Sequence, residues 1–296
     1  LPAGCAKPYE TAGGLMLGRT TTRQTAFRTV LRTALRAIPI PAGAGMARAL
    51  VERNSRAFKH MWVILVSGFF EPVFYLFAMG VGMGSLVGEI ILPDGRAVSY
   101  IVYLAPALLA SSAMNGAIYD STSNVFFKLK YAKLYDSVLA TPLGPRDVAV
   151  GEISWALIRG QLYAVAFLIV AWATGAVTGI SALLALPAAV LIGWAFASVG
   201  MAVTTYMRHW ADFDFVQLAI LPMFLLSGTF FPISVYPPAL QVVVQASPLY
   251  HSVTMVRQLM IGPVTAGIWV HVAVLVAMGL IGTVWTALRI EKLLLK

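Results

Sequence analysis

Six long apolar stretches, at residues 61–84, 98–119, 150–173, 181–206, 213–233 and 264–289, alternate with short polar gaps along the 296-residue chain. Each is near the ~20 residues that a helix needs to cross the hydrocarbon of a bilayer. The pattern predicts an all-α, polytopic membrane protein with six transmembrane helices. Before the first span, Phe27, Leu31, Leu35 and Ile38 recur at helical spacing beside a stripe of Arg28, Arg32 and Arg36, and a second amphipathic stretch runs from Met46 to His60. Such segments lie flat on a membrane surface. The chain therefore divides into a disordered N-terminus (1–18), basic amphipathic interfacial helices (19–60) and a six-span domain (61–296) whose longest polar insert is 120–149.

The fifth span ends raggedly. Ser227-Gly228 and Phe231-Pro232 interrupt it, Pro237-Pro238 follows, and residues 239–261 resume a broken amphipathic pattern. Irregular backbone at membrane depth survives only when buried in protein or lining a wet cavity. The sequence is thus read as re-entrant half-helices between spans five and six.

Composition agrees, with 59% apolar and 11% charged residues and a mean hydropathy of +0.81, which would leave a soluble domain with far too much apolar surface. The net charge of +9 does not indicate nucleic acid, because the bases follow the gaps between spans. Roughly eighteen Lys and Arg fall on one side, in the N-terminal segment, the second-to-third gap, Arg208 and the tail, against about two, Arg96 and Arg257, on the other. The positive-inside rule places both termini in the cytoplasm of a bacterial plasma membrane and makes lipid headgroups the partner of the basic face. The single cysteine, Cys5, permits no intrachain disulfide.

Three ionisable residues fall in or near the bilayer. Glu71, followed by Pro72, lies mid-way along span one; Glu152 and Arg159, seven apart, share one face of span three. A charge at the bilayer centre costs ~2.5 to 3.5 kcal/mol on insertion scales, so Glu71 is expected to face the bundle interior or be neutralised, and Arg159 to need a partner. They form either a transmembrane polar network holding helices together or a polar element of a substrate path. The chain has no phosphate-loop motif, no nucleophile and base paired by motif, and four His residues scattered at positions 60, 209, 251 and 271 without metal-ligand spacing. Catalysis, cofactors and metals within this chain are not expected.

From residue 120 to 160 the sequence becomes specific. Phe127-Lys128-Leu129-Lys130-Tyr131, Tyr135-Asp136-Ser137-Val138-Leu139-Ala140-Thr141-Pro142-Leu143 and Gly151-Glu152-Ile153-Ser154-Trp155 with Arg159 resemble the cytoplasmic segment of ABC-2 type exporter permeases, in particular the nodulation lipo-oligosaccharide and daunorubicin-type drug exporter branch. Glu71-Pro72-Val73-Phe74-Tyr75-Leu76, Leu226-Ser227-Gly228-Thr229-Phe230-Phe231-Pro232 and Ser247-Pro248-Leu249-Tyr250-His251 agree, and the match covers roughly residues 50–290. The resemblance implies the permease subunit of an exporter of amphipathic drugs, lipids or lipid-linked saccharides. A separate nucleotide-binding subunit carries ATP and Mg, and a second permease, identical or related, completes the path. It further implies that Tyr135, Asp136, Leu139, Thr141 and Pro142 couple the permease to its ATPase, and that Phe230, Phe231, Tyr236 and Tyr250 close an outer gate. The alternative, an ion-coupled secondary transporter of an apolar substrate, calls for interrupted helices in corresponding halves. One interruption, near residue 228, has no mirror in spans one to three.

Overall fold

A computed structural model of the chain describes residues 46–58, 62–92, 94–177 and 179–294. The readings made above for residues 1–45 lie outside the described residues. The first element, α1 (Ala47–Phe58), buries Ala47, Leu50, Val51, Asn54 and Ser55, the single stripe of an interfacial helix. Helix α2 (Trp62–Phe77) contains Pro72 and runs on through a π-helical stretch Ala78–Met83 into a last turn, Gly84–Val87. Then come the strands β1 (Glu89–Ile91) and β2 (Ala97–Ser99), paired antiparallel with Ile90 opposite Val98. The chain is mostly helical, as the apolar pattern predicted, and this small hairpin, which turns through Asp94 and Gly95, is the one sheet among the described residues.

Helix α3 (Tyr100–Tyr119) is buried on every side from Tyr103 to Met114. A helix apolar all round belongs at the centre of a bundle, and the other long helices pack about it. The helix does not stop where the polar insert was expected to begin. Two π-helical stretches, Asp120–Asn124 and Phe127–Tyr131, carry it 32 residues to Tyr131. The chain then reverses at Lys133, which adopts a left-handed backbone (φ 44°), and forms the short helix α4 (Leu134–Leu139).

Helix α5 (Pro145–Ala173) starts with Pro145 in its first turn and Asp147 as its capping acid. Residues 174–184, which end in a 3₁₀ turn, Ile180–Leu184, lead to α6 (Ala185–Thr204), which packs against α5. The last elements are α7 (Phe213–Leu226), α8 (Pro238–Ala246), α9 (Pro248–Ile261) and α10 (Ile268–Leu294).

Among the described residues, five helices are long and apolar enough to cross a membrane: Phe70–Val87, Tyr100–Tyr131, Pro145–Ala173, Ser181–Thr204 and Ile268–Leu294. The fifth predicted span is not among them. Helix α7 has 14 residues and reaches only ~21 Å at 1.5 Å per residue, short of the ~30 Å core. The helix ends at the break foreseen near Ser227-Gly228, and the segment 213–233 is therefore shorter as a helix than its apolar pattern suggested.

Small residues set the closest crossing. The buried positions of α10 are Leu275, Gly279, Gly282, Thr286 and Ile290, one seam at helical spacing, and it packs on α6. A Cβ on Gly282 would lie 2.8 Å from the backbone nitrogen of Val199 and 2.9 Å from Ser198 Cβ, while the Thr286 hydroxyl donates to the Ser198 carbonyl at 2.8 Å. Close backbone approach of this kind drives association where lipid removes the hydrophobic incentive. Gly282→Ala is expected to destabilise the protein by ~1 to 3 kcal/mol through overpacking. Gly84→Ala, with open space around the new methyl, is expected to change nothing beyond experimental scatter in the same thermal unfolding assay in detergent.

Candidate functional site

The polar groups gather at two levels of the bundle. At the end carrying α1 and α4, Asp147 serves two helices. Its carboxylate accepts from the Gly144 backbone N–H at 3.0 Å, closing the N-terminus of α5, and from the Met46 N–H at 3.2 Å, closing that of α1. Above it, the Glu152 carboxylate accepts from Lys128 Nζ at 2.7 Å and from the Asn54 amide at 3.0 Å, and Lys128 also donates to Asn54 Oδ1 at 3.2 Å. Glu152 is 1% exposed and Lys128 13%, so the pair joins α1, α3 and α5 in a place where an isolated charge would be untenable.

One layer deeper, Arg159 donates to the Asp120 carboxylate and to the Tyr163 hydroxyl at 3.1 Å, and its guanidinium lies 4.7 Å from the centroid of the Phe58 ring. Phe58 in turn meets Trp155 edge-on at 5.6 Å. Asn124 donates to Asp120 at 3.1 Å from the same π-helical stretch. The two ion pairs thus lock the far end of α3 onto α5.

Tyr135 connects α4 to this layer. It is 2% exposed, and burial holds its phenol well above the usual value, reinforced by the negative charge of Glu152 and Asp120. Val138 is buried beside it, while Asp136, Thr141 and Pro142 are exposed and Leu139 is half-buried. Helix α4 is therefore an anchored knob with a free outer face.

Beyond the Asp120–Arg159 pair lies a cavity of about 330 Å³ between α2, α3, α5 and α7. Glu71, Ser111, Asn115, Asp120, Arg159 and Tyr163 line its polar part. The Ser111 hydroxyl and the Asn115 carboxamide oxygen are buried without hydrogen-bond partners. On the other flank of α7 is an apolar slot of about 500 Å³, lined by residues such as Phe196, Phe215, Ile220, Met223 and Met278. Helix α7 divides the two, held by a 2.8 Å hydrogen bond from Gln217 to the Tyr119 hydroxyl, and Ile220 is the one residue of α7 that is buried.

At the opposite end, the break after α7 is buried, with Ser227 1%, Thr229 0% and Phe230 6% exposed. Gly228 (φ +74°) turns the chain; its carbonyl accepts from Arg257 at 3.0 Å and from the Tyr103 hydroxyl at 3.3 Å. The Arg257 guanidinium lies 3.9 Å from the Tyr103 ring centroid. Phe230 packs edge-on to Phe224 at 5.2 Å, which meets Tyr75 at 5.7 Å.

The sequence matches the ABC-2 type transporter family over residues 47–261, which takes in the knob, the ion pairs, the cavity and the buried break. The chain belongs to the ABC-2 type transporter family. It is 36% identical over 238 residues to Nodulation protein J of Rhizobium leguminosarum bv. viciae, covering 80% of this chain and 90% of that protein. It is 33% identical over 238 residues to Nodulation protein J of Rhizobium meliloti (strain 1021), covering 80% and 89%. The inner membrane transport permease YadH of Escherichia coli (strain K12) matches at 23% over 222 residues, 71% of this chain and 80% of that protein. The protein is accordingly a multi-pass membrane transport permease of the ABC-2 type.

The permease rearranges the polar groups expected from sequence. Glu152 and Arg159 do share a face of α5, but each takes its own partner, Lys128 and Asp120, instead of forming one cluster. Glu71 reaches the cavity that Arg159 and Asp120 also line. Asp120 was read as the first residue of a loop; nothing in its sequence neighbourhood announces a partner 39 residues away. Lys128 was read only as part of the cytoplasmic motif and Asn54 was not singled out at all, and their pairing with Glu152 is equally a product of the fold.

The four outer aromatics do not make one cluster. Phe230 is buried against Phe224, Tyr250 meets His251 and His271 edge-on, Phe231 is 42% exposed, and Tyr236 is half-buried with its carbonyl accepting from Gln241 at 2.8 Å. His251 and His271, scattered in sequence, bring their Nδ1 atoms to 2.8 Å of each other between α9 and α10. Arg257 was read merely as one of two bases on the bare side; its position about one turn from the end of α9 gave no sign that it holds Gly228.

Proposed function

We propose that this permease is the transmembrane half of an ATP-driven exporter that moves an amphipathic drug, lipid or lipid-linked saccharide outward across a bacterial inner membrane. Its ATPase is a separate nucleotide-binding chain carrying ATP and Mg, and a second permease completes the path. The observation that carries the reading is the continuous link from the exposed face of α4, through buried Tyr135, to the Glu152–Lys128 and Asp120–Arg159 pairs and on to the polar cavity. A push on Asp136, Thr141 and Pro142 has a rigid route to the cavity wall, since packed cores and ion-paired layers shift between discrete arrangements instead of yielding continuously.

The basic gaps put α1, α4 and both termini on the cytoplasmic side, where the ATPase is. The helices α8 and α9, on this topology, enter from the outer side and return, and the buried Gly228 turn held by Arg257 and Tyr103 supports a re-entrant outer gate. Within that gate Phe230 serves as packing, while Phe231, Tyr236 and Tyr250 remain the candidates that meet the exit path.

The test is purification of the full chain with the ATPase that co-elutes, followed by reconstitution. ATP turnover of the complex is expected to rise severalfold with an amphiphilic substrate, and the permease alone is expected to hydrolyse no ATP. Turnover by the isolated permease, or uptake of an amphiphile driven by an ion gradient without ATP, contradicts the proposal.

A further inference from the structure

The cavity between α2, α3, α5 and α7 carries a charge pattern that no relative's name describes. Two carboxylates and one cation line it: Glu71, Asp120 and Arg159. The cation is already committed, since Arg159 is paired with Asp120 and bonded to Tyr163. Lys128, the next nearest base, is held by Glu152 and Asn54 outside the lining. Among the described residues Glu71 has no ion-pair partner. The surplus in the cavity is therefore one carboxylate.

Three buried polar atoms of the lining lack hydrogen-bond partners: the Ser111 hydroxyl, which can donate or accept, the Asn115 carboxamide oxygen, which only accepts, and Arg159 Nε, whose guanidinium is already paired with Asp120. Ser111 and Asn115 stand one helical turn apart on α3. A buried acceptor left without a donor costs ~1 to 3 kcal/mol, and such groups in native structures call for a ligand, an ion or water. An ammonium group offers three donors and a positive charge to such a lining. A carboxylate, sulfate or phosphate would stand beside the exposed Glu71 carboxylate with only Arg159, whose charge is shared with Asp120, to offset the repulsion, and like charge set against like is how sites reject the wrong ligand. At about 330 Å³ the space is at the small end of ligand pockets, ~300 to 1,000 Å³, enough for a polar head and not for a long tail.

We propose that this cavity seats the polar head of the transported amphiphile and selects heads bearing a protonated amine over anionic heads, with Glu71 as the specificity-determining residue. The proposal rests on the exporter reading above for the statement that the ligand is cargo. The binding preference itself is tested without ATP.

The full-length permease in phosphatidylcholine nanodiscs is titrated with a dansyl-labelled alkylamine and with the dansyl-labelled alkanoate of equal length at neutral pH, where both heads are charged. Saturable binding of the amine is expected, weakened at least tenfold by Glu71→Gln and largely retained by Glu71→Asp, with no saturable binding of the alkanoate. Ser111→Ala, a small change at a packed site, is expected to weaken the amine severalfold with an unchanged thermal midpoint, which guards against a Glu71 variant that merely misfolds. Equal amine binding by wild type and Glu71→Gln overturns the proposal, as does alkanoate binding as tight as the amine's. Dissociation of a permease dimer in Glu71→Gln with amine binding intact would assign the carboxylate to a subunit contact and overturn it too.

Comparison with the ATPase complex separates the two readings. Amine binding without amine-stimulated turnover leaves the head site standing and removes the exporter reading. Turnover stimulated alike by both amphiphiles, in wild type and Glu71→Gln, leaves the exporter and removes the head site.

Discussion

Arg159→Ala is expected to be the most damaging single polar substitution in the bundle. The guanidinium contributes an ion pair to Asp120, a hydrogen bond to Tyr163 and a cation–π contact with Phe58. Truncating it leaves the Asp120 carboxylate, 2% exposed, as a buried charge with only Asn124 donating to it. Removal of one partner from a buried pair costs ~3 to 5 kcal/mol, far more than the pair's net worth, because the other charge is stranded. Folded protein in the membrane should fall sharply and the thermal midpoint with it. The double variant Arg159→Ala with Asp120→Ala should recover more than half of the loss, since no charge is then stranded. Arg159→Lys should recover less, because an ammonium reproduces neither the fork to Asp120 and Tyr163 nor the stacking on Phe58. Normal abundance of Arg159→Ala with altered substrate choice would reassign the residue from holding the helices to contacting cargo.

The second large effect is expected where stability should not change at all. Asp136 is exposed on α4 and makes no packing contribution comparable to Tyr135 or Val138 beneath it. Asp136→Arg should leave the midpoint within ~0.5 kcal/mol of wild type, as surface substitutions do, yet lower substrate-stimulated ATP turnover of the reconstituted complex at least tenfold. Reversing a charge on the face that meets the ATPase sets like against like or strips a partner of its counter-charge. Pro142→Ala should act the same way more mildly, by loosening the stop after α4. Unchanged stimulation in both variants would move the coupling surface elsewhere. Tyr135→Ala is different in kind: it empties a fully buried aromatic site and should destabilise by ~3 kcal/mol or more, so its effect on turnover would not isolate coupling.

The sequence carried the long-range layout well because lipid imposes it. Apolar length and the bias of Lys and Arg place helices with little help from tertiary contacts, and five of the six predicted spans overlap the long helices observed among the described residues. The fifth is shorter as a helix for a local reason: apolar composition continued through Ser227-Gly228, but the chain turns at Gly228 and Phe230 after it is buried in an irregular segment instead of a helix. Length of apolar sequence and length of helix are different quantities wherever protein, not lipid, covers the backbone. The start of the polar insert was misplaced because Asp120, Ser121 and Thr122 look like a helix end, whereas in the fold they are buried against α6 and α5 and continue α3 with π geometry.

The candidate site was legible by residue type and not by partner. Glu71, Glu152 and Arg159 stood out because ionisable side chains within spans are costly. Which groups they meet depends on helix rotation and on distant positions such as Asn54 and Lys128, and one sequence does not encode that in any periodicity. Within α4 the same limit applies: Tyr135 and Asp136 are adjacent and were read alike, yet one is buried under the ion pairs and the other faces outward.

The account's central claim is that the α4 knob faces the cytoplasm and bears on a separate ATPase. It is tested most directly by placing a single cysteine at Ser137, exposed on α4, in a Cys5→Ser background, and labelling it with a membrane-impermeant maleimide. Labelling in inverted vesicles and not in intact spheroplasts, and its suppression when the co-purifying ATPase is bound, is the expected result. Labelling from the outer face of spheroplasts, or labelling indifferent to the ATPase, would contradict it.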